Sequence, residues 1–278
     1  MLNAFTIDVE DWFQVEAFAP VIRRSSWPTL PCRVEHNVEM LLAVLERRKV
    51  GATFFMLGWI AERYPRLVRE IVDAGHEIAN HGYAHKSATD QSPAEFREDL
   101  VCSKAVLEDL TGSAVRGYRA PCFSIGRTNL WAHDVVAQTG HAYSSSIYPI
   151  RHDLYGMPGA PRFPYRASNG LLEIPPTSIR LFGKNFPAAG GGFFRLLPYP
   201  VSAWAVRRVN TVDEQAAIFY CHPWEIDPQQ PRVHEASLKS RFRHYVNLEL
   251  TMSRIDRLLQ EFRWARMDQV FAAQLNAH

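Results

Sequence analysis

The sequence has few of the features that mark secreted, membrane-spanning or nucleic-acid-binding proteins. Its four cysteines among 278 residues form no CxxC pair and no dense framework, which predicts reduced thiols. The longest apolar run, residues 52–61, is about half the length that a membrane-spanning helix needs. The net charge is +2 with both signs spread along the chain, so we expect no nucleic-acid partner. The first residues lack the basic start of a signal peptide, which predicts a cytoplasmic protein.

Strand-like and helix-like patterns alternate along the whole chain. Apolar runs at 2–7, 52–57 and 216–221 have the length of buried strands, and helical spacing occurs at 33–49 and 92–110. This alternation predicts an α/β fold with a parallel sheet and crossover helices. We expect one domain over residues 1–278, with a C-terminal helical extension from about 235. In this extension a long helix to 262 is followed by a short strand, FRWARM, and a final amphipathic helix.

Reactive side chains collect where the predicted strands end. An acidic cluster follows the first strand, two histidines follow the third, and an arginine and a histidine follow two later strands. In parallel α/β barrels the carboxyl ends of all strands lie on one face, so we expect these groups to meet at one site. The residues are Asp8, Glu10, Asp11, His81, His85, Arg119 and His222.

The histidine pair and the acidic cluster together indicate a metal site. His81 and His85 are four residues apart, and one helical turn would bring both imidazoles to the same side. Two imidazoles and one carboxylate leave coordination positions open for water and substrate, as a catalytic zinc requires. A second carboxylate is then needed to accept the proton of the attacking water.

Two further residues have a functional and a structural interpretation. His222 ends an apolar strand and precedes a proline, which suits a general acid on a fixed backbone but also a hydrogen-bonded core histidine. Arg119 is suited to holding the catalytic carboxylate through two hydrogen bonds, or to a structural salt bridge.

The glycine-rich stretch GKNFPAAGGGFFRLLPYP at 183–200 is only superficially like a phosphate-binding loop. It lacks the Lys-Ser/Thr ending, and its GGG is followed by two phenylalanines where a helix start is required. We expect a flexible wall of the site instead.

Four stretches resemble the NodB-homology polysaccharide deacetylases, carbohydrate esterase family 4. They are TIDVEDWF, ATFFMLGWIAERYPRLVREIVDAGHEIANHGYAHK, GYRAPCFSI and FYCHPWEIDP, and with their spacing they span about residues 1–270. The chain is more similar still to the branch associated with exopolysaccharide loci and exosortase systems, related to peptidoglycan deacetylases and allantoinase-like proteins.

The resemblance implies a distorted (β/α) barrel of seven or eight strands and metal-dependent hydrolysis of an N-acetyl group on an amino-sugar polymer or its precursor. The family's general base corresponds to Asp8 and its metal-binding pair to His81 and His85. The arginine of its third motif corresponds to Arg119 and its final histidine to His222. The implied cofactor is a divalent metal, with zinc expected.

The chain departs from the family pattern at three places. The adjacent Asp-Asp is replaced by DVED, so the metal carboxylate is either Glu10 or Asp11. Cys122 follows Pro121 in place of an aromatic residue, although its backbone N–H can still serve the oxyanion. The acidic residue that tunes His222 is not recognisable, and Glu173 and Glu225 are the candidates.

Aromatic residues beside these motifs are expected to bind sugar faces. Trp12 and Trp224 are the first choices, with Pro121, Cys122 and Phe123 as further substrate contacts. Two other functions stay open at this point: a cyclic imide or ureide amidohydrolase on the same scaffold, and a non-catalytic carbohydrate-binding protein. The sequence does not indicate an oligomeric state.

Overall fold

The computed structural model describes residues 1–153, 155–188 and 190–277. Strands and helices alternate along the chain, as the sequence predicts. Eleven strands occur in the described ranges: β1 Leu2–Val9, β2 Thr53–Met56, β3 Glu77–Asn80, β4 Gly117–Tyr118, β5 Tyr143–Ser144, β6 Tyr165–Arg166, β7 Leu172–Glu173, β8 Ser178–Leu181, β9 Lys184–Pro187, β10 Ile218–Cys221 and β11 Arg263–Ala265.

The helices cover the sheet and connect its strands. The longest, α4, begins with a capping box in which Ser92 accepts from the Glu95 N–H and the Glu95 carboxylate accepts from the Ser92 N–H, as the Ser-Pro-x-Glu pattern predicts. The helices of the described ranges are α1 Val34–Arg48, α2 Gly58–Arg63, α3 Pro65–Asp73, α4 Pro93–Thr111, α5 Trp131–Gln138, α6 Gly191–Leu196, α7 Tyr199–Thr211, α8 Leu238–Tyr245, α9 Leu248–Glu261, α10 Met267–Val270 and α11 Ala272–Asn276.

Nine strands form one curled sheet. Its order is β10-β1-β2-β3-β4-β5-β7-β6, and β11 also pairs with β1. All pairs are parallel except β6 with β7, an antiparallel edge that the sequence did not indicate. After β7 the chain returns to β10, where the Ile218 N–H donates to Thr177 Oγ1 at 2.6 Å. The predicted distorted barrel is thus confirmed as a mixed α/β fold with a curled, half-barrel sheet.

Strand β1 lies inside the sheet, and both of its faces are buried. Every residue from Asn3 to Val9 is buried, as expected of a parallel strand covered by helices on both sides. β1 pairs in parallel with β2 and β10, and β2 pairs in parallel with β3. The carboxyl ends of these strands therefore lie at one edge of the sheet, where the predicted site residues follow.

One prediction about the C-terminal part of the chain is wrong and another is confirmed. The long helix predicted over 235–262 is divided into α8 and α9, because Asn247 adopts a left-handed conformation with φ 52°. The short strand expected after this helix is present as β11, which joins the central sheet beside β1.

The glycine-rich stretch is also more regular than predicted. It contains β9 of the β8–β9 hairpin, and GGG leads into α6, whereas the sequence indicated no helix start there. Gly190 has φ 129°, and a Cβ atom at this position would lie 1.9 Å from the carbonyl oxygen of Tyr220. Only glycine therefore allows the chain to approach β10 so closely. Ala189, in the same stretch, lies outside the described residues.

None of the helices in the described ranges combines the length and the hydropathy of a membrane-spanning segment.

Candidate metal and catalytic site

The acidic cluster, both histidine motifs and Arg119 meet at the carboxyl edge of the sheet. Asp8 is the second-last residue of β1, and Glu10 directly follows the strand. His81 comes directly after β3, and His222 directly after β10. The predicted convergence of the strand-end residues is therefore confirmed.

Glu10, His81 and His85 form a buried cluster. Glu10 Oε1 lies 3.4 Å from His81 Nε2 and 3.0 Å from His85 Nε2. One ligand atom from each residue lies within 4.8 Å of the other two. The two histidines are brought together by a loop in which His85 has φ 49°, so the predicted helical turn is wrong although the convergence is correct.

The hydrogen bonds of His81 show that the cluster suits a cation. His81 Nδ1 lies 2.8 Å from the carbonyl oxygen of Arg119, which can only accept, so Nδ1 carries the proton. In the neutral ring Nε2 then presents a lone pair towards the Glu10 carboxylate, which is also an acceptor. A metal ion resolves this conflict, and a histidine held by a carbonyl on its second nitrogen is a frequent arrangement around metals. The residues present therefore fit a divalent metal.

The charge state of Glu10 agrees with a ligand role. Burial alone would raise the pKa of Glu10, but His85, His222 and His81 outweigh it and lower that pKa well below its usual value. A second cluster, Glu16, His85 and Cys122, also lies within ligand distance. Burial, Glu16 and Glu10 raise the pKa of the Cys122 thiol well above its usual value, which makes Cys122 the weaker ligand.

Asp11 does not belong to this cluster. It points to the start of α1, where its Oδ2 accepts the backbone N–H groups of Arg33 at 2.6 Å and Val34 at 3.0 Å. The Cys32 thiol donates to the same oxygen at 2.7 Å. The alternative that Asp11 ligates the metal is therefore corrected: this acid holds the first turn of α1, and Glu10 takes the place beside the histidines.

Asp8 and Arg119 form a buried ion pair next to the cluster. Arg119 Nη1 donates to Asp8 Oδ1 and, at 2.9 Å, to the Thr6 hydroxyl. Arg119 Nη2 donates to Ser145 Oγ at 3.1 Å. Arg119 is thus fixed by several partners, and it orients one oxygen of Asp8 while Oδ2 lies 3.9 Å from His222 Nε2.

His222 faces carboxylates on both sides. Its Nε2 lies 3.6 Å from Glu10 Oε1, and its Nδ1 lies 3.4 Å from Glu225 Oε2, an ion-pair distance without the alignment of a good hydrogen bond. Burial alone would lower the pKa of His222, but Glu10, Glu225 and Asp8 outweigh it and raise the pKa to about 9. His222 is therefore a cation at neutral pH.

The acid beside His222 is Glu225 and not Glu173. Glu173 accepts the backbone N–H groups of Ser146 and Ile147 and contacts His133 at 3.0 Å, which places it in a separate buried network. That candidate is corrected by the structure.

A cavity of about 140 Å³ opens onto these residues. Of the five predicted substrate contacts, three line it and two do not. Pro121 is not among its lining residues, and Trp12 packs edge-to-face on Phe13 while its indole N–H donates to the Pro31 carbonyl. Trp12 is a core residue, which corrects the prediction. The cavity is lined by Asp8, Glu10, Val15, Glu16, His85, Cys122, Phe123, Tyr155, Tyr220, His222 and Trp224.

Comparisons with known proteins agree with this geometry. Residues 28–143 match the polysaccharide deacetylase family, and residues 145–272 match a domain of unknown function (DUF3473). The chain contains a polysaccharide deacetylase domain. This confirms the resemblance to the NodB-homology, carbohydrate esterase 4 group, whereas membership of the exopolysaccharide branch stays a prediction.

The two curated relatives below match only part of this chain, and the chain spans less than two thirds of the length of each. It is 30% identical over 149 residues to a chitooligosaccharide deacetylase of Bradyrhizobium, covering 53% of this chain and 64% of that protein. It is 36% identical over 93 residues to a peptidoglycan-N-acetylglucosamine deacetylase of Bacillus cereus, covering 33% and 34%. A Mycobacterium smegmatis crystal structure assigned to the polysaccharide deacetylases shares the fold, with a TM-score of 0.63 and 20% identity over 100% of this chain and 93% of that one.

The site combines residues of both matched regions with Asp8 and Glu10, which precede them. The deacetylase-domain match contains His81, His85 and Arg119, whereas His222 and Glu225 lie in the region of unknown function. That region also supplies Arg195, which the sequence analysis missed: its Nε donates to Glu225 Oε1 at 2.8 Å, and both side chains are buried. The only sequence signal was a single charge within the otherwise uncharged stretch GGGFFRLL.

Proposed function

We propose that this chain is a metal-dependent deacetylase that hydrolyses the N-acetyl group of an amino sugar in a polysaccharide, an oligosaccharide or a biosynthetic precursor. The observation that carries the proposal is the convergence of a three-ligand cluster, a fixed carboxylate and a cationic histidine on one cavity. Glu10, His81 and His85 would hold the metal, with zinc as the expected ion. When bound, such a metal lowers the pKa of water and polarises a carbonyl group.

Asp8 is the proposed base. Arg119 holds Asp8 Oδ1, which leaves Oδ2 on the side of His222 and the cavity to accept a proton from the attacking water. Cys122, which lines the cavity, is the proposed source of a backbone N–H for the developing oxyanion.

His222 is the proposed acid. It is cationic at neutral pH and can donate a proton from Nε2 to the leaving nitrogen as the C–N bond breaks. The products are acetate and a free amine. Glu225, which is itself held by Arg195, stabilises the cation and fixes the ring on its Nδ1 side.

Acetate release from N-acetylglucosamine oligomers tests this proposal. We expect turnover by the zinc-loaded protein and a loss of about a hundredfold or more in kcat for Asp8→Asn, with bound zinc and circular dichroism preserved. Asp256→Asn is a matched control, because Asp256 pairs with Arg47 and Arg48 on the surface. An Asp8→Asn variant with the wild-type rate would refute the assignment of the base.

The same proposal extends to the biological substrate. We assign the protein to exopolysaccharide biosynthesis on the resemblance of its motifs to that branch, and the polymer is an N-acetylated amino-sugar chain. Comparing chitooligosaccharides with peptidoglycan fragments as substrates would separate this assignment from a role in cell-wall modification.

A further inference from the structure

A second cavity adjoins the one that holds the reacting groups. Its volume is about 300 Å³, and it shares Val15, Tyr155 and Trp224 with the reaction cavity. We call it the apolar cleft. The residues that extend it away from the site and are used below are Ala17, Phe193, Leu196, Phe242 and Val246.

The charged groups at this cleft are already paired within the protein. Arg195 donates to Glu225 and to the backbone carbonyls of Arg243, His244 and Val246. Arg243 lies 3.1 Å from Asp153. A sugar ring brings several hydroxyl groups that need partners when they leave water, and the buried Arg195, whose Nε, Nη1 and Nη2 all donate within the protein, has little capacity left for them.

The apolar surface continues from the cleft to the outside of the protein. Phe242 is 60% exposed and Leu196 is 48% exposed. A neighbouring groove of about 340 Å³ shares Phe193 and Leu196 with the cleft and includes the exposed Trp204. Contiguous exposed apolar surface beside a reaction site is typical of a ligand-binding face.

We propose that the apolar cleft binds a hydrocarbon chain attached to the amino sugar, so that the substrate is an amphiphilic glycoside. The inference rests on the proposed function, because it takes the sugar to occupy the reaction cavity. Val15, Tyr155 and Trp224 line both cavities, so the two adjoin, and a chain on the sugar would pass these residues to enter the cleft while the acetamide faces the metal cluster.

A chain-length series tests the proposal. The zinc-loaded protein is assayed for acetate release from methyl, butyl and octyl N-acetylglucosaminides below their micelle concentrations, with a triethylene glycol glycoside as a polar control of similar length. Each methylene removed from water is worth about fourfold. We expect kcat/KM to rise at least about tenfold from methyl to octyl and the polar chain to behave like methyl. A geranyl glycoside, compared with octyl, distinguishes an isoprenoid from a straight acyl-type chain.

Paired variants connect the effect to the cleft. Phe242→Ala should lower the octyl-to-methyl ratio of kcat/KM by about fourfold or more, since it removes apolar cleft surface. Phe182→Ala is the matched control, because Phe182 is 98% exposed at the tip of the β8–β9 hairpin and does not line the cleft. Equal kcat/KM values for methyl and octyl substrates would overturn the proposal.

The proposed function and this inference fail in different ways. If acetate is released from chitooligosaccharides but chain length has no effect, only the inference is wrong. If no substrate is turned over, calorimetric binding of octyl and methyl N-acetylglucosaminides still decides it: tighter octyl binding that Phe242→Ala weakens supports the cleft, and equal affinities overturn it.

Discussion

Replacing either of the two neighbouring acids at the end of β1 should affect metal binding differently. Glu10→Gln removes the carboxylate between His81 and His85 but keeps the shape of the side chain. Asp11→Ala removes an acceptor that holds the start of α1 and leaves the metal cluster intact. The first variant should lose metal and keep its fold, whereas the second should keep metal and lose stability.

The magnitudes follow from the contacts of each acid. Asp11 accepts the N–H groups of Arg33 and Val34, and its Oδ1 accepts the Trp12 N–H at 2.8 Å. Losing a helix-capping acceptor costs about 1 kcal/mol, and a buried N–H left unpaired costs about 1 to 3 kcal/mol. We therefore expect Asp11→Ala to lower the free energy of unfolding by about 2 to 4 kcal/mol.

For Glu10→Gln we expect the metal affinity to fall by at least about a hundredfold, because losing a ligand exceeds the loss of a supporting residue. Glu10 is a buried carboxylate beside His85 and His222, so its replacement should also lower the unfolding free energy of the metal-free protein. Urea unfolding after a chelator has removed the metal measures stability, and the zinc content per chain after dialysis against zinc measures binding. Loss of zinc in Asp11→Ala with unchanged stability would refute the assignment of the two acids.

Two further predictions concern buried charges elsewhere. Arg195→Leu leaves Glu225 buried without its arginine partner, so we expect urea unfolding to show a loss of about 3 to 5 kcal/mol, and a loss below about 1 kcal/mol would contradict a buried pair. Burial, together with Asp268, raises the pKa of Glu77 to about 7 from 4.5, so the folded protein binds this proton more tightly than the unfolded chain. The contribution of Glu77 to stability is therefore complete below pH 4.5 and is lost as the pH rises through about 7. Glu77→Gln should reduce this decline when unfolding is measured at pH 5 and 8, and an unchanged pH dependence would argue against the raised pKa.

The sequence was sufficient for features that depend on neighbouring residues. The apolar run of β1 and the Ser92 to Glu95 capping pattern are local signals, and the structure shows both elements. The convergence of Asp8, His81 and His222 followed from the direction of parallel strands, which needs no side-chain detail.

Features that depend on distant partners could not be read from the sequence. Alternation along β1 favours neither Glu10 nor Asp11 decisively, because what separates them is the start of α1, which Asp11 reaches across more than 20 residues of chain. Trp12 has the position expected of a sugar contact, but it packs on Phe13 in the core. The pair of Arg195 with Glu225 joins a glycine-rich stretch to the turn after β10, and no local pattern connects them.

Backbone conformation explains the remaining errors. The spacing of His81 and His85 fits a helical turn as well as it fits a loop. In the structure the two histidines lie on a loop, with His85 in the left-handed region. Asn247, also left-handed, ends what the periodicity predicts as one continuous helix. Asparagine tolerates this conformation better than most residues. Its presence alone, however, does not show that a helix breaks there.

The most direct test of the proposed metal-dependent deacetylase activity is to remove bound metal with a chelator, add zinc back stepwise, and measure bound metal and acetate release together. Activity on N-acetylglucosamine oligomers should rise in proportion to zinc up to one ion per chain, and Glu10→Gln should neither bind zinc at these concentrations nor gain activity. Zinc-independent acetate release, or a fully loaded wild-type protein that releases no acetate, would contradict the proposed activity.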